Sequence, residues 1–288
     1  IYALLQGVFL FGFGQLMVEN SAVSDFITED LDLFKTFAPM FRSWAEENPR
    51  IAIGMTYNMF FYLFTGGIVS SLTLSLVALG MAIPRLITSD LSSRAITIYS
   101  SKAVSRFDYC IGKFAGVLLL LTLTWLGPTL ATWMMGNLMA PNISFFWHTA
   151  PALLHSLAFV GSGMVILGLM ALGVSTMTSS PRTATAIWVG LLLVGVVLSG
   201  IGMGSENYWL QYLSFWFDLE LLQRSLFDIG GDFKELGEKY PGFTEMGLIK
   251  TIKTRLDLTA ENVTAAIACL SFLCAGALVM LYKKVKPE

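Results

Sequence analysis

Residues 183–203 read TATAIWVGLLLVGVVLSGIGM, and that run decides the fold. It contains no charged side chain and is long enough to cross a bilayer core of roughly 30 Å as one helix. Lipid offers the backbone no hydrogen-bond partner, so a segment that enters it must satisfy its own N–H and C=O groups, which a helix does. Working outward, residues 1–17, 51–84, 111–138, 151–177 and 262–282 meet the same requirement, giving six expected spans. The second is over-long, about 50 Å at the helical rise, and carries Gly66 and Gly67, so it is expected to project, bend or start late.

The composition agrees. Of 288 residues, 55% are hydrophobic and 13% charged, about half the charged share of an ordinary soluble domain, and the mean hydropathy is +0.67. The fold class that follows is an all-α integral membrane protein, read as one transmembrane domain over residues 1–288. A net charge of −2 provides no basic field for nucleic acid. The chain opens on Ile1 and runs at once into apolar sequence, which leads us to expect a further N-terminal piece.

Orientation follows from the basic residues at the span ends. One side gathers Arg85, Arg94, Lys102, Arg106, Lys113, Arg182, Lys283, Lys284 and Lys286 against Asp90, Asp108 and Glu288. The other spreads its basic residues over longer loops and holds most of the acids. By the positive-inside rule the compact basic side is cytoplasmic, which places both termini there and makes the chain a multi-pass protein of a cell membrane, read as a bacterial inner membrane. The external side carries two segments. In residues 20–50, Phe34, Phe37, Phe41 and Trp44 recur at helical spacing; residues 205–259 hold Tyr208, Trp209, Tyr212, Phe215, Trp216 and Phe217 and then a second apolar stripe. Both are expected to lie along the membrane as short interfacial helices, since neither can enclose a core of its own.

The absences of chemistry narrow the function. No Asp, Glu, Lys or Arg lies well inside a span, and His155 is the ionisable side chain at depth, which disfavours ion-coupled carriers. His148 and His155 lie two turns apart on one helix face, about 10 Å, too far for one ion, and the reading preferred is one interfacial and one buried, hydrogen-bonded histidine. Cys110, Cys269 and Cys274 have no partner at ligand spacing, so no metal or disulfide framework is expected. Ser162, between Gly161 and Gly163, has only His155 of its own helix as a base, so these glycines read as packing residues. Gly190, Gly195, Gly200 and Gly202 likewise read as sites of close helix contact. Gly112-Lys113 lacks the upstream glycine of a phosphate loop. The chain is therefore read as no enzyme, with no catalytic, cofactor-binding or metal residue.

The feature above background is the cytoplasmic loop at residues 85–110, which with its flanks reads PRLITSDLSSRAITIYSSKAVSRFDYCIGKF over 84–114. A helix capped by Ser89 or Asp90 is expected there, with Asp90 at its positive end. An ordinary positive-inside loop explains the charges equally well.

Residues 103–114, AVSRFDYCIGKF, preceded by Asp90, resemble the signature of the ABC-2 type permeases, the membrane subunits of a large class of ABC transporters. That signature is an acidic residue, a short helix, and then a Pro-hydrophobic-Ser-Arg-x-Asp/Glu-Tyr-hydrophobic-x-Gly-Lys-aromatic string entering the third span. Here Ala103 replaces the proline and Ser93-Arg94 stands where Ser-Gly is common. The resemblance implies two permease chains, identical or homologous, above two ABC ATP-binding subunits that hold the ATP and Mg. Residues 90–101 would form a coupling helix docked on the ATPase. Asp90, Arg94, Ile96, Ile98, Tyr99, Lys102, Ser105, Arg106 and Asp108 make up the coupling loop, the charges pairing with the partner and Ile96, Ile98 and Tyr99 filling an apolar groove. The uncharged spans favour a hydrophobic or amphiphilic cargo, moved outward. The alternative is a structural or anchoring membrane subunit of a larger complex.

Overall fold

The computed structural model describes residues 7, 49–66, 70–93, 105–138, 143–204, 208–228 and 260–284. Every element among them is helical: α1 (Pro49–Gly66), α2 (Ser71–Ala82), a 3₁₀ turn (Ile83–Arg85), α3 (Thr88–Ser92), α4 (Arg106–Leu121), a π-helical turn (Thr122–Leu126), α5 (Gly127–Leu138), α6 (Ser144–Met177), α7 (Pro181–Gly204), a second 3₁₀ helix (Tyr208–Leu213), α8 (Phe215–Phe227) and α9 (Ala260–Lys284). Five stretches are long and apolar enough to cross a membrane: Ile51–Ser92, Phe107–Leu138, Phe145–Met177, Pro181–Ile201 and Asn262–Lys284. The chain is thus an all-α, multi-pass membrane protein. The expected span at 1–17 lies, apart from Gly7, outside the described residues, as does the external segment at 20–50 up to Asn48.

Contacts divide the chain into two compact units, one comprising residues 1–70, 127–158 and 226–257, the other 71–126, 159–225 and 258–288. In the first, aromatic rings hold α1 to its neighbours: Tyr57 meets Phe145 edge-on at 5.2 Å, and Tyr62 meets Phe227 at 5.8 Å. In the second, helices approach where a side chain is missing. A Cβ on Gly173 would lie 2.8 Å from Ala277 Cβ, bringing α6 against α9, and one on Gly168 would lie 2.9 Å from Phe114, bringing α6 against α4. Small residues serve this purpose in a bilayer, where apolar side chains gain nothing by leaving lipid and close van der Waals packing must do the work. Trp188 of α7 packs over Gly80 of α2 and donates its indole N–H to the Leu76 carbonyl at 3.2 Å.

The structure corrects three boundaries and one set of glycines. The fourth span begins at Ser144, and Pro151 lies inside α6 rather than opening it. Its missing N–H leaves the Trp147 carbonyl, four residues back, without its helical donor. The third span starts at Arg106 and continues through the π turn, where one wider turn seats the fully buried Trp125. The loop helix α3 occupies Thr88–Ser92, capped at Ile87 with no side-chain hydrogen bond, so neither Ser89 nor Asp90 is its cap and it starts before residue 90. Of Gly190, Gly195 and Gly200, Gly195 alone meets neighbours, Ser214 and Phe215, while the other two border open space; the surroundings of Gly202 lie outside what is described, and close contact needs a facing helix, which spacing cannot reveal. In the first part of the 205–259 segment, protein covers one set of α8 side chains: Phe215, Asp218, Leu219, Leu221 and Phe227 are all buried.

Candidate functional site: the tied base of the 85–110 loop

Within the second unit, the polypeptide leaving α2 turns through the 3₁₀ segment into α3 and is fixed at both flanks. On one side stands Ser175 of α6. Its Oγ accepts from the backbone N–H of Ile87 (2.8 Å) and of Thr88 (3.0 Å), and donates to the Ile83 carbonyl at 3.0 Å. Thr88 returns a bond from its own hydroxyl to the Ser175 carbonyl at 2.8 Å. Ile83, Ile87, Thr88 and Ser175 are all fully buried, so each bond replaces one that water cannot supply.

On the other side, Asp90 faces the start of α4. Its Oδ2 accepts from the Tyr109 hydroxyl at 2.7 Å and from the Lys113 ammonium at 2.7 Å. Lys113 also donates to the Leu86 carbonyl at 2.8 Å and sits 5.6 Å from the Tyr109 ring centre. Tyr109 and Lys113 are four apart on α4, so they share the face that receives Asp90. Side-chain exposures of 14% for Asp90 and 25% for Lys113 take this pair out of the class of surface ion pairs whose net value is near zero. Its charge-assisted bonds are worth about 1.5–3 kcal/mol each.

The end of the loop is set by a reciprocal cap. Ser105 Oγ accepts from the Asp108 N–H at 3.1 Å, and Asp108 Oδ2 accepts from the Ser105 N–H at 3.3 Å and from its hydroxyl at 2.6 Å. Such a box starts a helix at one defined residue and contributes about 1 kcal/mol. Of the residues read from sequence as the coupling loop, Asp90 belongs to the tie, while Ser105 and Asp108 form this cap. Arg106 begins α4. Arg94, Ile96, Ile98, Tyr99 and Lys102 lie outside the described residues. Tyr109 and Lys113 stood in the quoted string but were not singled out, and their four-residue spacing beside an upstream acid was the available signal. Ser175 gave none, since one serine in an apolar span looks like any packing residue.

Two polar groups that the sequence singles out in the spans are satisfied locally. In the first unit Asn58 Nδ2 donates to the Phe227 carbonyl at 2.7 Å, which turns its Oδ1 toward His155 Nδ1 at 3.0 Å; that ring nitrogen must therefore be the donor. His155 is the hydrogen-bonded histidine expected. Ser162 donates to the Phe159 carbonyl of its own helix at 2.9 Å. Asp218 differs. It is fully buried in α8, neither carboxylate oxygen has a hydrogen-bond partner among the described residues, and burial pushes its pKa up to about 8. Sequence reasoning placed this aromatic stretch at the headgroups and missed it. Compared with protein-family models, curated proteins and solved structures, the chain matches none.

Proposed function

We propose that the chain is the permease subunit of an ATP-driven transporter of ABC-2 type. It would export a hydrophobic or amphiphilic cargo, pair with a second permease chain and take its power from a separate ATP-binding subunit. The observation that carries this reading is the Asp90–Tyr109–Lys113 tie. It joins the acid, the tyrosine and the lysine of the string that resembles the permease signature, and makes α3 and the head of α4 one mechanical piece. A push on the cytoplasmic loop would then reach the third span through Lys113 and Tyr109, and the fourth through Ser175, without dissipating in a flexible linker.

Purification of the complete complex followed by identification of every chain is the first test, and an ATP-binding subunit is the expected companion. In that reconstituted complex Asp90→Asn and Lys113→Met should each lower ATP-driven transport by about 10- to 100-fold, the equivalent of losing roughly 1.5–3 kcal/mol from the tied state. ATP hydrolysis and assembly should persist. Normal transport by both variants would move the coupling role elsewhere. A complex without any ATPase would favour the anchoring subunit instead.

The same reading places both termini and the 85–110 loop in the cytoplasm of a bacterial inner-membrane protein. Single cysteines at Ser100 and Ser205, with Cys110, Cys269 and Cys274 replaced, should label from opposite faces with a membrane-impermeant thiol reagent. Labelling of both from one face contradicts this topology.

A further inference from the structure

Carboxylates seldom enter an apolar environment without a cation or several donors to hold their charge, because the desolvation of an isolated ion costs far more than any folding contact returns. Asp218 has neither. Its side chain is fully covered, and both oxygens lack a hydrogen-bond partner among the described residues. It sits at the head of α8, where its N–H is used by the Ser214 carbonyl at 3.1 Å, so the helix fixes its position whatever its charge.

Among the described residues, the ionisable groups around it supply no positive charge. From the preceding 3₁₀ helix comes Tyr212, whose hydroxyl is already committed to Asn262 Oδ1 at 3.0 Å; from α9 comes Cys269. On α8 itself Glu220 and Arg224 are bound to each other. In α7, which meets the head of α8 at Gly195, the charged residue is Arg182, at the far end of that helix. A buried acid surrounded in this way has one inexpensive state, the neutral one.

We propose that Asp218 is a proton-binding site: its carboxyl holds a proton in the folded chain, and loss of that proton places a charge that obliges the head of α8 to open toward water. The ligand is the proton itself. This inference does not depend on the transport reading. The pKa that burial raises to about 8 agrees with it.

The sign of the effect on stability follows. The folded chain binds this proton more tightly than the unfolded one, so the contribution is complete below the ordinary aspartate range near pH 4 and is lost as pH rises through about 8. Tyr212, raised by burial first and by Asp218 second, ionises later and does not reverse that order.

The test is an infrared titration of the full chain in lipid nanodiscs from about pH 5 to about pH 10. A carboxylic C=O band should disappear with a midpoint near 8, shift in protein carrying isotope-labelled aspartate, and be missing from Asp218→Asn. The Asn variant, isosteric with the neutral acid, should also lose the decline in thermal stability that the parent shows between the ordinary aspartate range and about pH 8. An aspartate band that vanishes in the ordinary carboxylate range, or an unchanged band in Asp218→Asn, overturns the proposal. Should that variant not fold, the parent's labelled band and its midpoint decide alone.

Discussion

Gly163→Ala should lower the unfolding temperature, whereas Gly161→Ala, two residues earlier on the same helix, should leave it unchanged or raise it. Alanine ordinarily improves a helix over glycine by about 0.5–1 kcal/mol. At Gly161 nothing lies within 4 Å of an added Cβ, so that gain stands unopposed. At Gly163 the same methyl would sit 2.5 Å from Trp125 Cη2 and 2.8 Å from its Cζ3. The indole has nowhere to go. It is fully buried, is carried on the π turn, and meets the Phe159 ring edge-on at 5.6 Å. Overpacking of this kind costs about 1–3 kcal/mol, which exceeds the propensity gain and reverses its sign. Thermal unfolding followed by tryptophan fluorescence should show a fall of several degrees, at about 2–4 °C per kcal/mol for a chain of comparable size. Trp125→Phe in the Gly163→Ala background should recover part of it. A stabilised Gly163→Ala would mean that Trp125 is not packed on this glycine.

This pair of glycines marks the boundary of what the sequence could disclose. A run such as residues 183–203 identifies itself as a span because length and apolarity are local properties, and lipid permits one backbone solution for them. Which face of the span meets another helix is not local. Gly161 and Gly163 flank the same serine in one apolar run, and only the position of Trp125 sets them apart. The same holds for Gly195 against Gly190 and Gly200. Pro151 was read as the start of the fourth span, and the structure instead carries it inside α6. In the loop, Asp90 was legible as an important acid, but its partner lay on the next span, and the helix it was expected to cap begins two residues earlier. Asp218 was illegible for a different reason: aromatic density around it signals a headgroup position, and that signal says nothing about a carboxylate turned inward. Burial of a charge is decided by which elements close over it, and no period in the sequence reports that.

Ser175→Ala is expected to destabilise more than any other single loss of one oxygen in the second unit. The hydroxyl accepts from two backbone N–H groups, Ile87 and Thr88, and donates to the Ile83 carbonyl, all in fully buried surroundings. Alanine leaves the two donors without their partner, at about 1–3 kcal/mol for each buried group that water cannot reach, while the Ile83 carbonyl keeps the Leu86 N–H at 3.1 Å. One bond survives the change, from the Thr88 hydroxyl to the residue-175 carbonyl, because it uses the backbone. A net loss of about 2–4 kcal/mol is therefore expected, short of the full sum because the 3₁₀ segment can shift to re-pair part of it. The local consequence is sharper than the global one. Residues 86–92 would stay attached to α4 through Asp90 and Lys113 but come away from α6, so hydrogen exchange at the Ile87 and Thr88 amides should accelerate by at least about tenfold, the factor that 1.4 kcal/mol of lost protection allows. Exchange near Tyr109 should change little. Ser175→Thr, which keeps the hydroxyl, should retain most of the protection at both amides even if its extra methyl lowers the unfolding temperature. If Ser175→Ala leaves exchange at Ile87 and Thr88 as slow as in the parent chain, their N–H groups have another acceptor and the loop is not tied to the fourth span through this serine.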